Sequence, residues 1–286
     1  MRTPLPLVVA FNLMASVPVS AQVVSSATGP DPASIQTTVD AYRTSLGTLN
    51  PNVVGSFGSG RREINWDGVP DAFSAPNSLP ANFFNVNSAR GVVFSTPGTG
   101  FEVSATAASG TPVEFGNIDP SYTATFETFS PQRLFTAIGS NIVDVNFFIP
   151  GTTTPAFTNG FGAIFSDVDL ANTTTLTFFG AGGTLLGTFA VPNVAGANET
   201  LSFLGVLFSN PIVSSVRITS GNAALGAGVT DQNGASRDLV VMDDFIFGEP
   251  TLGAVPEPGT WAMLLLGFAA IGLTFRRRRA VPQRVC

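Results

Sequence analysis

The side chains with chemistry to offer are few, and nearly all are carboxylates. Asp167-Val168-Asp169 spaces two acids so that a β-strand would turn both to one face. Asp243-Asp244 sets a second pair just before the apolar run Phe245-Ile246-Phe247. Hard oxygen donors without imidazole or thiolate are the set that calcium takes. Asp167, Asp169, Asp243 and Asp244 are therefore the candidate metal ligands, and a shared site requires the two pairs to converge on one ion. The same acids also read as solvated residues at strand ends and turns. No segment carries the twelve-residue helix–loop–helix calcium signature.

Other chemistries are excluded by what the chain lacks. It contains no histidine and a single cysteine, Cys286, at its last position. That removes a Ser-His-Asp triad, a cysteine nucleophile within the body, histidine-ligated zinc and any intramolecular disulfide. Two carboxylates acting as acid and base, as in glycosidases, remain available. Glu63, Glu102, Glu114 and Glu127 are candidates that the sequence does not rank. The densest polar cluster is Arg61-Arg62-Glu63-Ile64-Asn65-Trp66-Asp67-Gly68. Trp66 could stack on a sugar ring there, with Arg62 and Asp67 bonding hydroxyls. Alternatively Ile64 and Trp66 alternate into a core and the charges lie outside.

Positioning such residues falls to short strands. The chain has 286 residues, 11% of them charged, against roughly 25% in ordinary soluble domains. Asp31-Pro32 predicts a capped helix, with Ile35, Val39, Tyr42 and Leu46 on one face and Gly47 at its end. From about Val53 the rhythm changes to β-rich runs divided by Gly, Pro, Asn and Asp. The predicted strands are 61–66, 91–95, 101–106, 113–118, 133–138, 142–149, 162–169, 174–179, 185–191, 200–208, 214–219 and 239–247. Asn146-Phe147-Phe148-Ile149, apolar on both faces, suits a central strand. Asn159-Gly160 and Asn233-Gly234 suit hairpin turns. A dozen such runs without a long linker predict one all-β domain, a β-sandwich over 53–250, preceded by an N-terminal segment, 22–52, with the short helix.

Between Gln22 and Val255 seven arginines face eighteen carboxylates, a balance of −11. Such a body repels phosphate backbones, so nucleic acid is not an expected partner. Residues 1–21 have the layout of a secretory signal peptide: Arg2, an apolar run from Leu5 to Val17, and Val19-Ser20-Ala21 as a site for signal peptidase. Near the other end stand Pro256-Glu257-Pro258, an uncharged stretch over 260–275, and Arg276, Arg277, Arg278 and Arg279. The stretch predicts a short transmembrane helix. The arginines hold its end, with the tail 280–286, in the cytoplasm and the body outside.

Residues 255–279 resemble the PEP-CTERM sorting signal of Gram-negative bacteria, with motif, helix and basic cluster in order. The resemblance implies an exosortase as processing partner, anchoring in the inner membrane before processing, and surface or extracellular placement afterwards. It also implies association with exopolysaccharide or a biofilm matrix. The strand run loosely resembles the jelly-roll bodies of surface proteins and carbohydrate-binding modules, which implies a fold and no binding residues. The expected function is a non-enzymatic surface or matrix protein. A secreted carboxylate-dependent glycan-active enzyme and a passive structural surface protein stand as alternatives.

Overall fold

The computed structural model describes residues 22–232, 235–253 and 264–272. Twelve strands form two antiparallel sheets that pack face to face as a β-sandwich. The larger sheet contains β1 (Gln22–Gly29), β2 (Arg61–Ile64), β4 (Gly100–Val103), β5 (Phe135–Ile138), β7 (Gly160–Ser166), β10 (Leu201–Phe208) and β12 (Val241–Gly248). Its order is β1-β10-β7-β12-β5-β4, with β2 also paired to β12. The smaller sheet runs β3-β6-β11-β8-β9, from β3 (Val92–Ser95), β6 (Ile142–Phe147), β11 (Ser215–Thr219), β8 (Thr175–Phe179) and β9 (Leu185–Ala190). Phenylalanines fill the space between the sheets. Phe135, Phe161, Phe245 and Phe247 from the larger sheet meet Phe94, Phe147 and Phe178 from the smaller.

A third layer explains why β12 and β7 are buried along their whole length. Helix α1 (Pro32–Leu46) lies on the outer face of the larger sheet. Ile35, Val39, Tyr42 and Leu46 there pack against Ile164, Leu201, Phe203 and Ile246. Asp31 caps α1 by accepting from the Ser34 amide at 2.9 Å, and Pro32 opens the first turn. The sheet is hollowed for this helix at Gly162 and Gly205. A Cβ at either position would come within 2.9 Å or less of the Tyr42 ring. Tyr42 closes the contact by donating its hydroxyl to the Val206 carbonyl at 3.1 Å. The segment 22–52 thus supplies both an edge strand and a covering layer to the sandwich.

Three strand-level expectations change. Residues 22–29 form β1, although their small and polar side chains gave no strand signal. The run 113–118 is a turn, because Glu114 and Phe115 take left-handed backbone with φ of 50° and 63°. Phe115 nevertheless buries its ring against Tyr122, Phe126 and Leu239 on the outer face of the larger sheet. Gly160 begins β7 and forms no hairpin turn, while Asn233-Gly234 lies outside the described residues. The predicted central strand β6 does sit inside its sheet, but it alternates buried and half-buried residues.

The leader at 1–21, the Pro-Glu-Pro motif and the arginine cluster also lie outside the described residues. Of the predicted transmembrane stretch 260–275, residues 264–272 are helical and exposed. Among the described residues no helix is long and apolar enough to cross a membrane.

Candidate functional site

Strand β7 ends at Ser166, and the next residue changes the backbone. Asp167 takes a left-handed φ of 70°, a conformation that Asp tolerates better than most residues. Asp167 and Asp169 therefore share a site through a turn, and strand alternation is not what brings them together. Their neighbour comes from the loop before β12. Carboxylate oxygens of Asp167, Asp169 and Asp231 all lie within 4.8 Å of one another. Asp231 accepts from the Leu239 amide at 2.9 Å, which fixes its loop. Asp238 stands behind the cluster. It accepts from the Asp169 amide at 3.0 Å and from the Thr173 hydroxyl, so it joins the two loops.

Asp167 and Asp169 are buried, and all four of their carboxylate oxygens lack a hydrogen-bond partner. Burial pushes the Asp167 carboxyl up to about 9, reinforced by the charges of Asp231, Asp169, Asp238 and Glu199. Burial, then Asp231 and Asp238, push Asp169 up to about 6. The amides of Ala197 and Gly196 lean towards Asp169 and pull the other way, without closing hydrogen bonds. Thr200, whose carbonyl accepts from the Asp167 amide at 2.8 Å, also has a buried hydroxyl without a partner. The arrangement offers hard oxygen donors in a strongly negative field, which is the setting for a divalent cation.

Asp243 and Asp244 are not part of this cluster. They sit where β12 bulges, between Met242 and Phe245. The Asp243 carboxylate accepts from the Phe129 amide at 2.6 Å, the Ser130 amide at 3.1 Å and the Ser130 hydroxyl at 3.3 Å. Asp244 accepts from the Ser130 hydroxyl at 2.8 Å and from Arg43 Nη2 at 2.9 Å. The protein itself donates to both carboxylates, the Ser130 hydroxyl being shared between them at its closer approach to Asp244. The expected convergence of four aspartates on one ion is thus replaced by a three-carboxylate cluster and a separate, internally bonded pair. Burial drives Asp243 well above the usual carboxylate range, followed by the charge of Asp244. Burial also lifts Asp244 to about 6 against the pull of Ser130 and Arg43.

Asp244 also edges a groove of about 480 Å³. Gln36, Asn52, Asn65, Arg43 and Glu63 line it as well. Arg43, on α1, bridges the acids: its Nη2 lies 3.2 Å from Glu63 Oε2 and 2.9 Å from Asp244 Oδ2. A neighbouring hollow of about 330 Å³ shares Asn65 and Arg90 with the groove and adds apolar walls from Val69 and Phe73. Trp66 does not offer a stacking face for sugar. It is buried, stacks on Phe135 at 4.1 Å between centroids, and donates its indole N–H to the Asp243 carbonyl at 2.9 Å. Arg62 is likewise buried, paired with Glu249 at 2.7 Å.

Sequence reasoning missed Asp231 and Asp238. A signal was present: they are the only two acids between Glu199 and Asp243. They stand at either end of a stretch with too few apolar residues to make a strand.

Residues 254–279 match the PEP-CTERM protein-sorting motif. No curated protein and no solved structure matches the chain. The chain therefore carries the sorting signal of exosortase substrates. That signal implies export, a membrane-anchored C-terminus before processing, and an exosortase as the processing partner.

Proposed function

We propose that this is a non-enzymatic cell-surface or extracellular-matrix protein, delivered by its sorting signal, whose β-sandwich holds a saccharide of the surrounding matrix. The polar groove beside α1 carries this reading. Its volume of about 480 Å³ falls in the range of small-molecule sites, roughly 300–1,000 Å³. Side-chain amides and a charged trio suit hydroxyl groups, while the half-buried Phe73 in the adjoining hollow suits the apolar face of a sugar ring. Delivery begins with signal peptidase and inner-membrane insertion, and exosortase action then places the body at the surface.

Glu63 and Asp244 in the same groove raise the carboxylate-dependent enzyme. Arg43 speaks against it, because its guanidinium pairs with both acids at once and so occupies oxygens that an acid–base pair would have to turn towards a substrate. The test is a glycan-array screen of the full chain, followed by affinity measurement on the best hit. Asn52→Ala and Asn65→Ala, both exposed, are expected to weaken binding about tenfold each, the value of roughly one hydrogen bond. Binding unchanged in the double variant overturns the groove. Hydrolysis of the bound glycan that disappears in Glu63→Gln overturns the non-enzymatic reading.

A further inference from the structure

We propose that Asp167, Asp169 and Asp231 coordinate a calcium ion that clamps the loop before β12 onto the end of β7. Three independent observations converge on it. The first is the spacing. Oxygens within 4.8 Å of one another fit inside the roughly 4.6–5.2 Å that separates opposite ligands of a calcium ion with bonds of 2.3–2.6 Å. The second is the unpartnered state of four buried oxygens on Asp167 and Asp169. A buried polar atom without a partner is costly to keep, and a charged one more so. Sequences keep such groups where something absent from the protein chain satisfies them.

The third observation is the contrast with Asp243 and Asp244. The same fold supplies that pair with two amides, a hydroxyl and a guanidinium. Donors were available to this architecture, yet at the end of β7 only the Ala197 and Gly196 amides approach, and none of the four oxygens has a closed hydrogen bond. Ligand chemistry then selects the ion. All three donors are carboxylates, in a chain with no histidine and with its one cysteine at position 286, so soft and borderline metals have no preferred ligand. Calcium takes more ligands and tolerates irregular geometry better than magnesium does. That suits three acids drawn from two loops, with solvent or backbone oxygens completing the shell.

The clamp joins parts of the chain far apart in sequence. Asp167 and Asp169 follow β7, and Asp231 belongs to the excursion between β11 and β12. Asp238 holds the Asp169 amide, so it supports the site from behind without needing to touch the ion.

The experiment uses the full chain in detergent, stripped with chelator and titrated with calcium alone. Thermal unfolding and calorimetric titration are the readouts. Calcium at about a hundredfold over its dissociation constant is expected to raise Tm by roughly 5–10 °C. Magnesium at equal concentration should give a smaller shift. Asp169→Asn and Asp231→Asn, which keep side-chain shape, should each abolish most of the calcium shift, and Asp243→Asn should retain it. In chelator, Asp169→Asn should unfold at or above the wild-type temperature, since it removes negative charge from an unsatisfied cluster. No heat and no Tm shift at millimolar calcium would overturn the proposal. So would a shift of wild-type size in both Asp169→Asn and Asp231→Asn. The saccharide groove does not enter these outcomes, so the two proposals fail separately.

Discussion

Two buried acid sites, at the end of β7 and in the bulge of β12, start from the same kind of sequence signal and arrive at opposite states. At the bulge, Asp243 and Asp244 are enclosed by Phe129, Ser130 and Arg43, and the protein donates to both carboxylates. At the end of β7, Asp167 and Asp169 are buried with no closed hydrogen bond on their oxygens, and Asp231 and Asp238 add negative charge. The first is a structural fastening of the 129–130 turn and α1 onto the sheet. The second leaves its buried oxygens unbonded, which is what the proposed calcium ion would answer. Burial alone does not separate a fastening from a binding site. The inventory of donors does.

The largest break in this comparison comes from Asp243→Ala. It leaves the Phe129 and Ser130 amides without their acceptor inside the protein, and should cost about 3–4 kcal/mol in denaturant unfolding. A loss below about 1 kcal/mol would mean that the pair is not a fastening. Arg43→Met comes next. It keeps an apolar side chain on α1 but strips the guanidinium from Glu63, Asp244 and the face of Phe129, with an expected loss of about 2 kcal/mol in the same assay. Because the substitution removes a stabilising positive charge, the Asp244 carboxyl should also titrate higher, as read by NMR of the side-chain carboxyl carbon.

The smallest effect sharpens the contrast through pH. Asp244 has a folded pKa of about 6, above the roughly 3.9 of an unfolded Asp. A raised acid stabilises the fold below the unfolded value and loses that contribution as pH climbs through the folded one. Wild type should therefore give up about 1 kcal/mol between pH 4 and 5 relative to Asp244→Asn, which has no proton to lose. Equal slopes in the two proteins would remove the bulge from the list of titrating sites.

Most strands were legible because their β-branched and aromatic runs are interrupted on schedule by Gly, Pro and Asn. The edge strand β1 was not, since Gln-Val-Val-Ser-Ser-Ala-Thr-Gly half faces solvent and owes its conformation to pairing with β10. Nor was the turn at Glu114 and Phe115, whose left-handed backbone is set by burial of Phe115 and not by local preference. For the site, the spacing of Asp167 and Asp169 was visible and its cause was not. Asp231 joins through a tertiary contact, which no local pattern records. Asp243-Asp244 looked equivalent in sequence because the donors that occupy it come from residues more than a hundred positions away.

The body remains stitched almost to the start of its sorting signal. Glu249 is locked to Arg62, and Thr251 exchanges two backbone hydrogen bonds with Phe157. Only Leu252 and Gly253 then separate the sandwich from the matched motif at 254. Two residues of extended chain reach about 7 Å. An enzyme reading that motif must work against the wall of a folded domain, with no slack line between cargo and label. Strand β12, the last to emerge in synthesis, lies in the middle of the larger sheet and pairs with β2, β5 and β7. Of the described strands it is the last in sequence, so the sheet is completed only as the sorting signal itself emerges.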